Sequence, residues 1–101
     1  MSEPTTQFVV LHTPGPNWQH GTDYRQQPGA MAHAQYYAQL HEQGKLAMGG
    51  PFMAQDRGGM MVTTADITLE EIEAFAAADP AVQNGLLEYE VLPWRVVMRA
   101  R

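Results

Sequence analysis

Two stretches of helix formers, each bracketed by its own stop signals, divide the apolar runs of this chain into one strand, then two, then one. The second stretch is the sharper. Thr68 and Glu71 form an S/T-x-x-E capping box, and Ile67 and Ile72 stand where a hydrophobic staple requires them, so both the orphan amides and the entry angle are specified. Leu69, Ile72, Phe75 and Ala76 continue the helix. Asp79-Pro80 should end it near Asp79, because a residue before proline is biased away from helical angles. The first stretch, Ala30 to Gln43, lies between Gly29 and Gly44, with Gly44 as the C-terminal cap.

Around these helices, Phe8-Val9-Val10-Leu11 reads as a strand buried on both faces. Lys45 to Pro51 and Met60 to Thr64 read as strands joined by a reversal over Gln55 to Gly59. From Leu86 towards Met98, Leu87, Tyr89 and Val91 alternate with Glu88 and Glu90, and Pro93 marks a bulge or an edge. Residues 1–6 are polar, contain Pro4, and are expected to fray. The predicted order is β-α-β-β-α-β across a single domain, 1–101. The fold class is therefore α+β: the ferredoxin-like split βαβ arrangement, a four-stranded antiparallel sheet with two helices on one face. Two helices cover one face only, so the other is expected to pack on a second copy in a homodimer. The competing expectation is that the long loop and the last strand fill it.

Composition narrows the chemistry. Six Lys and Arg against eleven Asp and Glu give a net charge of −5, with no basic cluster. Nucleic acid and anionic membrane surfaces are thus excluded as expected partners. The start Met1-Ser2-Glu3-Pro4 has no signal-peptide pattern, and a cytoplasmic location is expected. The absence of cysteine removes thiolate catalysis and Cys-based zinc sites. His33 and His41 lie roughly 80° apart around a helix and complete no zinc grouping, and no glycine-rich phosphate loop is present. No metal and no cofactor are therefore predicted, leaving a small-molecule ligand.

On a helical wheel His33, Tyr37 and Leu40 share the stripe that should face the sheet. Ile72, Phe75, Ala76 and Asp79 share the corresponding stripe of the second helix, which aims a carboxylate inward in the last turn. Burial and the negative end of the helix both disfavour the Asp79 charge there, so a partner is expected. His33 would serve, since a carboxylate on one ring nitrogen fixes the tautomer and frees the other. A structural role stands beside this: His33 satisfied by a backbone carbonyl, and Asp79 as a turn residue. His12 continues the alternation of Phe8 and Val10, either lining the same cavity or ending the strand in the core. Trp18, His20 and Tyr24, in the Pro- and Gly-rich loop from Thr13 to Gly29, form either an aromatic lid or a pin for the loop.

The spacing His33-x3-Tyr37-x2-Leu40-x3-Gly44-Lys45-Leu46-x3-Gly50-Pro51, followed by Ala77-Ala78-Asp79-Pro80-Ala81-Val82-x2-Gly85-Leu86, resembles the YCII-related (YciI-like) family. The resemblance spans nearly the whole chain, from Phe8 through Val91-Leu92-Pro93-Trp94. It implies a dimeric α/β-barrel protein whose active site is a His-Asp pair, here His33 and Asp79. Within that family a dehydrochlorinase acts on a chlorinated hydroxyhydroquinone, and muconolactone isomerases share the wider superfamily. The implied activity is proton transfer leading to isomerisation or elimination. His12, Trp18, Tyr37, Gly50 and Pro51 are the substrate-lining candidates. The Thr13 to Gly29 loop is less general and looks like a subgroup feature.

Overall fold

The computed structural model of the protein describes residues 5–100. Its elements are β1 (Thr5–Pro14), a one-turn 3-10 helix (Tyr24–Gln26), α1 (Ala30–Glu42), β2 (Leu46–Pro51), β3 (Gly59–Thr63), α2 (Leu69–Ala77), α3 (Pro80–Gln83) and β4 (Leu87–Val96). The sheet runs β2-β3-β1-β4 with every neighbouring pair antiparallel, which is the ferredoxin-like order expected from the sequence.

Both helix starts follow from local chemistry. Thr68 Oγ1 accepts from Glu71 N–H and Glu71 Oε1 accepts from Thr68 N–H, closing the capping box. Ile67 and Ile72 are buried in the same cluster, as a staple requires. Gly29 caps α1 in the left-handed region, at φ 96°, where its lack of a side chain also admits close packing. A Cβ there would fall 2.8 Å from Asn84 Nδ2. The start of α1 can thus press against the end of α3.

Three sequence expectations change. Thr5 and Thr6 pair with Val96 and Arg95, because β4 is long enough to hold them, so the frayed terminus does not include these two. Residues 1–4 lie outside the described residues. The second helix stops at Ala77, and Pro80 begins a separate four-residue helix rather than a turn. Proline suits a first helical position, where its missing N–H has no partner to lose. Finally, β1 is fully buried on one face, at Phe8, Val10 and His12, and only in part on the other, where Gln7 is buried but Val9 and Leu11 are half-buried.

Phe8 and Val10 pack against Tyr37, Leu40, Ile72 and Ala76 to form the main core. Each large apolar side chain buried there contributes roughly 1.5–3 kcal/mol. A smaller cluster of Trp18, Ala81, Leu86 and Leu87 fastens the long loop to α3 and the start of β4. Among the described residues no helix lies on the opposite side of the sheet. Met48, Leu92 and Trp94 are exposed, and Pro93 sits in the edge strand β4 facing Phe8 in register.

Candidate functional site

The site begins at Asp79, which is not in the last turn of α2. It is the N-cap of α3, its Oδ1 accepting from Ala81 N–H at 2.9 Å. The other oxygen, Oδ2, lies 2.5 Å from His33 Nδ1. A carboxylate only accepts, so the proton between them belongs to Nδ1. In sequence Asp-Pro reads as a helix stop, with the Asp79 charge at an unfavourable helix end. In the structure the same dipeptide is an N-cap followed by proline at N1, and a carboxylate is favoured at that position. Asp79 and His33 are both buried, at 0 % and 2 % exposure. His33 Nε2 makes no hydrogen bond among the described residues, and it is not among the polar atoms sealed from solvent without a partner.

His12 joins them from β1. Its Nε2 is 3.4 Å from Tyr37 Oη and 3.8 Å from Asp79 Oδ2, while its Nδ1 is buried with no partner. The ring stands edge-on to His33 with centroids 4.8 Å apart. Gly59 lies opposite His12 in register, and Gly58, at φ 81°, lets its backbone approach that of His12, since a Cβ there would lie 2.1 Å from His12 O. Burial, and then repulsion from His33, push the His12 pKa down to about 4, with Asp79 only partly opposing. His12 is therefore neutral near pH 7. Burial and the Asp79 charge likewise raise the Tyr37 hydroxyl above its ordinary value.

His12, His33 and Asp79 offer three ligand atoms within 4.8 Å of one another, a set that could hold a metal ion. Ligand spacing along one helix cannot reveal this set, because the three residues come from β1, α1 and the α2–α3 junction. The 2.5 Å His33–Asp79 contact nonetheless matches a shared proton. Ligands of a tetrahedral ion bound at about 2.1 Å stand about 3.4 Å apart, so this pair would have to separate.

A cavity of about 590 Å³ lies beside the cluster, between the loop and the β2–β3 turn, and Trp18, Tyr24, Pro51, Phe52 and Asp56 are among its lining. None of His12, His33, Tyr37 or Asp79 lines it. Tyr24 does, and its ring centroid is 6.4 Å from that of His33. Gly50 lies elsewhere, in a groove of about 280 Å³ with Met48, Met60, Val62 and Pro51. The structure thus unites His12, His33, Tyr37 and Asp79, places Trp18 and Pro51 on the adjacent cavity, and separates Gly50.

The loop is held firmly. Trp18 Nε1–H donates to Asp56 Oδ1 at 2.9 Å, Gly21 N–H donates to the same carboxylate, and His20 Nδ1 is 3.9 Å from it. These donors hold the Asp56 carboxyl below the usual range. Gln27, buried, accepts from Gln19 N–H and donates to Gln19 O and Thr22 O. Neither Asp56 nor Gln27 stood out in the sequence. The available signal for Asp56 was its place before Arg57-Gly58-Gly59, where Asp tolerates the left-handed φ of 62° that it adopts.

A ferredoxin-like sheet that buries a histidine-carboxylate pair between its helices defines the class of protein. The chain belongs to the YCII-related domain family, whose model matches residues 6–95. No functionally curated protein matches the sequence. Among solved structures, the chain is similar to 5-chloro-2-hydroxyhydroquinone dehydrochlorinase from Burkholderia phenoliruptrix AC1100 in complex with 2,5-dihydroxybenzoquinone. The TM-score is 0.66 at 22% identity over 87% of this chain and 92% of that one. At that identity the likeness establishes the fold.

Proposed function

We propose that the protein is a small-molecule enzyme in which His33 and Asp79 move a proton, with isomerisation or elimination as the net reaction. Dehydrochlorination of a phenolic or lactone-type compound is the leading case. The observation that carries this reading is the buried 2.5 Å contact between His33 Nδ1 and Asp79 Oδ2, with His33 Nε2 left uncommitted. In this reading Nε2 removes a proton from the substrate, and Asp79 holds the imidazole in one tautomer and offsets the imidazolium charge. His12 and Tyr37 shape the far wall, Trp18 and Pro51 the cavity side, and Gly50 the end of β2 that carries Pro51. Carbon-to-carbon proton transfer calls for no redox cofactor. The neighbour's bound dihydroxybenzoquinone supports the choice of phenolic ligands to try first.

We also read the protein as a cytoplasmic homodimer joined through the open sheet face. Exposed Met48, Leu92 and Trp94 support the dimer, and the acidic, cysteine-free composition supports the location. Sedimentation of wild type and Leu92→Glu tests the dimer: wild type should run as two chains and the variant as one.

The functional test is a panel of chlorinated phenols, quinols and lactones, followed by absorbance and chloride release, with His33→Ala and Asp79→Asn beside wild type. At least one compound should turn over, and each variant should lose about a hundredfold or more of the rate. Undiminished turnover by folded His33→Ala defeats the reading. The enclosure of the pair, and its absence from the cavity lining, favour a second reading as a non-catalytic ligand-binding or regulatory dimer. Then no compound would turn over, and His33→Ala would cost several kcal/mol of stability.

A further inference from the structure

The proton-transfer reading leaves one requirement open, since the oxygen that gains charge as a carbon proton departs needs a donor. We propose that Tyr24 is that donor, and that the ligand of the cavity is an aromatic or enolisable compound whose oxygen becomes anionic, as in a phenolate, quinol or enolate.

The inference rests on the acid–base reading for its chemistry and on four observations of its own. Tyr24 lines the cavity and also borders His33, at 6.4 Å between ring centroids, so the two compartments meet at this side chain. Its hydroxyl has no hydrogen-bond partner among the described residues, whereas Tyr36 donates to Phe75 O and Tyr37 is engaged with His12. Tyr89 is also without a partner, but it does not line the cavity. Third, the segment around Tyr24 is fixed from several sides: Asp23 caps the 3-10 turn by accepting from Arg25 N–H, Gln27 ties residues 19 and 22, and Trp18 stacks edge-on at 5.7 Å. A donor held in place by other contacts spends no reorganisation when charge appears. Fourth, burial and the Asp79 charge push the phenol up to about 12, so it keeps its proton at neutral pH.

The step balances within the ligand and two side chains. His33 Nε2 takes the proton from carbon, the C–H pair becomes the new carbon–carbon π bond, and the carbonyl π pair moves onto oxygen, which accepts from Tyr24 O–H. In isomerisation His33 returns the proton to a different carbon. In elimination the oxygen pair re-forms the carbonyl, the carbon–carbon π pair expels chloride from the next carbon, and the His33 imidazolium gives its proton to water, so the net loss is HCl.

The test uses 4-nitrophenol and nitrobenzene with wild type and Tyr24→Phe, reading bound phenolate by its absorption band. Nitrophenolate should bind wild type about tenfold or more tighter than the variant, while nitrobenzene, which lacks the acceptor anion, should bind both alike. An unshifted Trp18 indole N–H resonance in Tyr24→Phe shows that the loop is intact. A second measurement needs no variant: across chloro- and nitrophenolates, wild-type affinity should rise with the basicity of the oxygen. Equal nitrophenolate affinity in both proteins, a flat dependence on basicity, or no saturable phenolate binding by wild type overturns the proposal. Full turnover by His33→Ala would defeat the acid–base reading alone, because the phenolate affinities decide the donor role by themselves.

Discussion

Acidification should destabilise this protein through a residue outside the proposed chemistry. His12 is neutral and enclosed in the fold, its Nδ1 lacks a partner, and its pKa falls from 6.5 to about 4. Unfolding frees it to take a proton near its ordinary value. Because the folded pKa is the lower one, the unfolded chain binds more protons between the two values, and stability is lost as pH falls through that window. Relative to pH 8 the linkage comes to roughly 2 kcal/mol at pH 5 and roughly 3 kcal/mol at pH 4. His33, Asp79 and Tyr37 face the same imidazole, so the measurement must isolate His12 by difference. His12→Phe keeps an aromatic ring, removes the titration and removes the orphan nitrogen, which by itself costs about 1–3 kcal/mol. Urea unfolding at fixed protein concentration, at pH 8, 6 and 5, should give the variant a stability within about 1 kcal/mol of wild type at pH 8. Its acid slope should be shallower, with the difference reaching roughly 2 kcal/mol at pH 5. Parallel curves for the two proteins over that range would refute the assignment of a depressed pKa to His12.

Three further outcomes follow from the geometry. Asp79→Asn keeps an oxygen to cap α3 but loses the charge that accepts from His33, and calorimetry should show a loss of about 2–4 kcal/mol. Gly58→Ala forces a Cβ to 2.1 Å from His12 O at φ 81°, so the variant should be strongly destabilised and shift the His12 and Trp18 resonances together. Thr68→Ala removes one half of the capping box and should cost about 1 kcal/mol in urea unfolding, with the site resonances unmoved.

The parts that could be read from the chain are those governed by neighbours in sequence. The capping box at Thr68 and Glu71, the stripe of His33, Tyr37 and Leu40, and the alternation of Leu87, Tyr89 and Val91 depend on helical and strand periodicity alone. The order of elements then leaves few ways to pack a sheet against two helices, so the topology came with them. Asp79 shows the limit. The dipeptide Asp-Pro ends one helix or begins another with equal local legality, and only the docking of α3 against α1 makes it a cap whose second oxygen meets His33.

The sequence by itself determined which side chains point inward, because a period of 3.6 or 2 assigns each residue a face whatever lies opposite. Which of those inward groups touch was decided by tertiary structure alone. His12, His33 and Asp79 come from three elements, and close packing at two glycines accompanies their meeting: Gly58 against the His12 backbone and Gly29, at the start of α1, against Asn84 at the end of α3. The meeting of the imidazole's surroundings with the cavity was likewise decided there. Tyr24 reaches it only because Asp56 and Gln27, distant or unmarked in sequence, hold the loop by hydrogen bonds that no periodicity encodes.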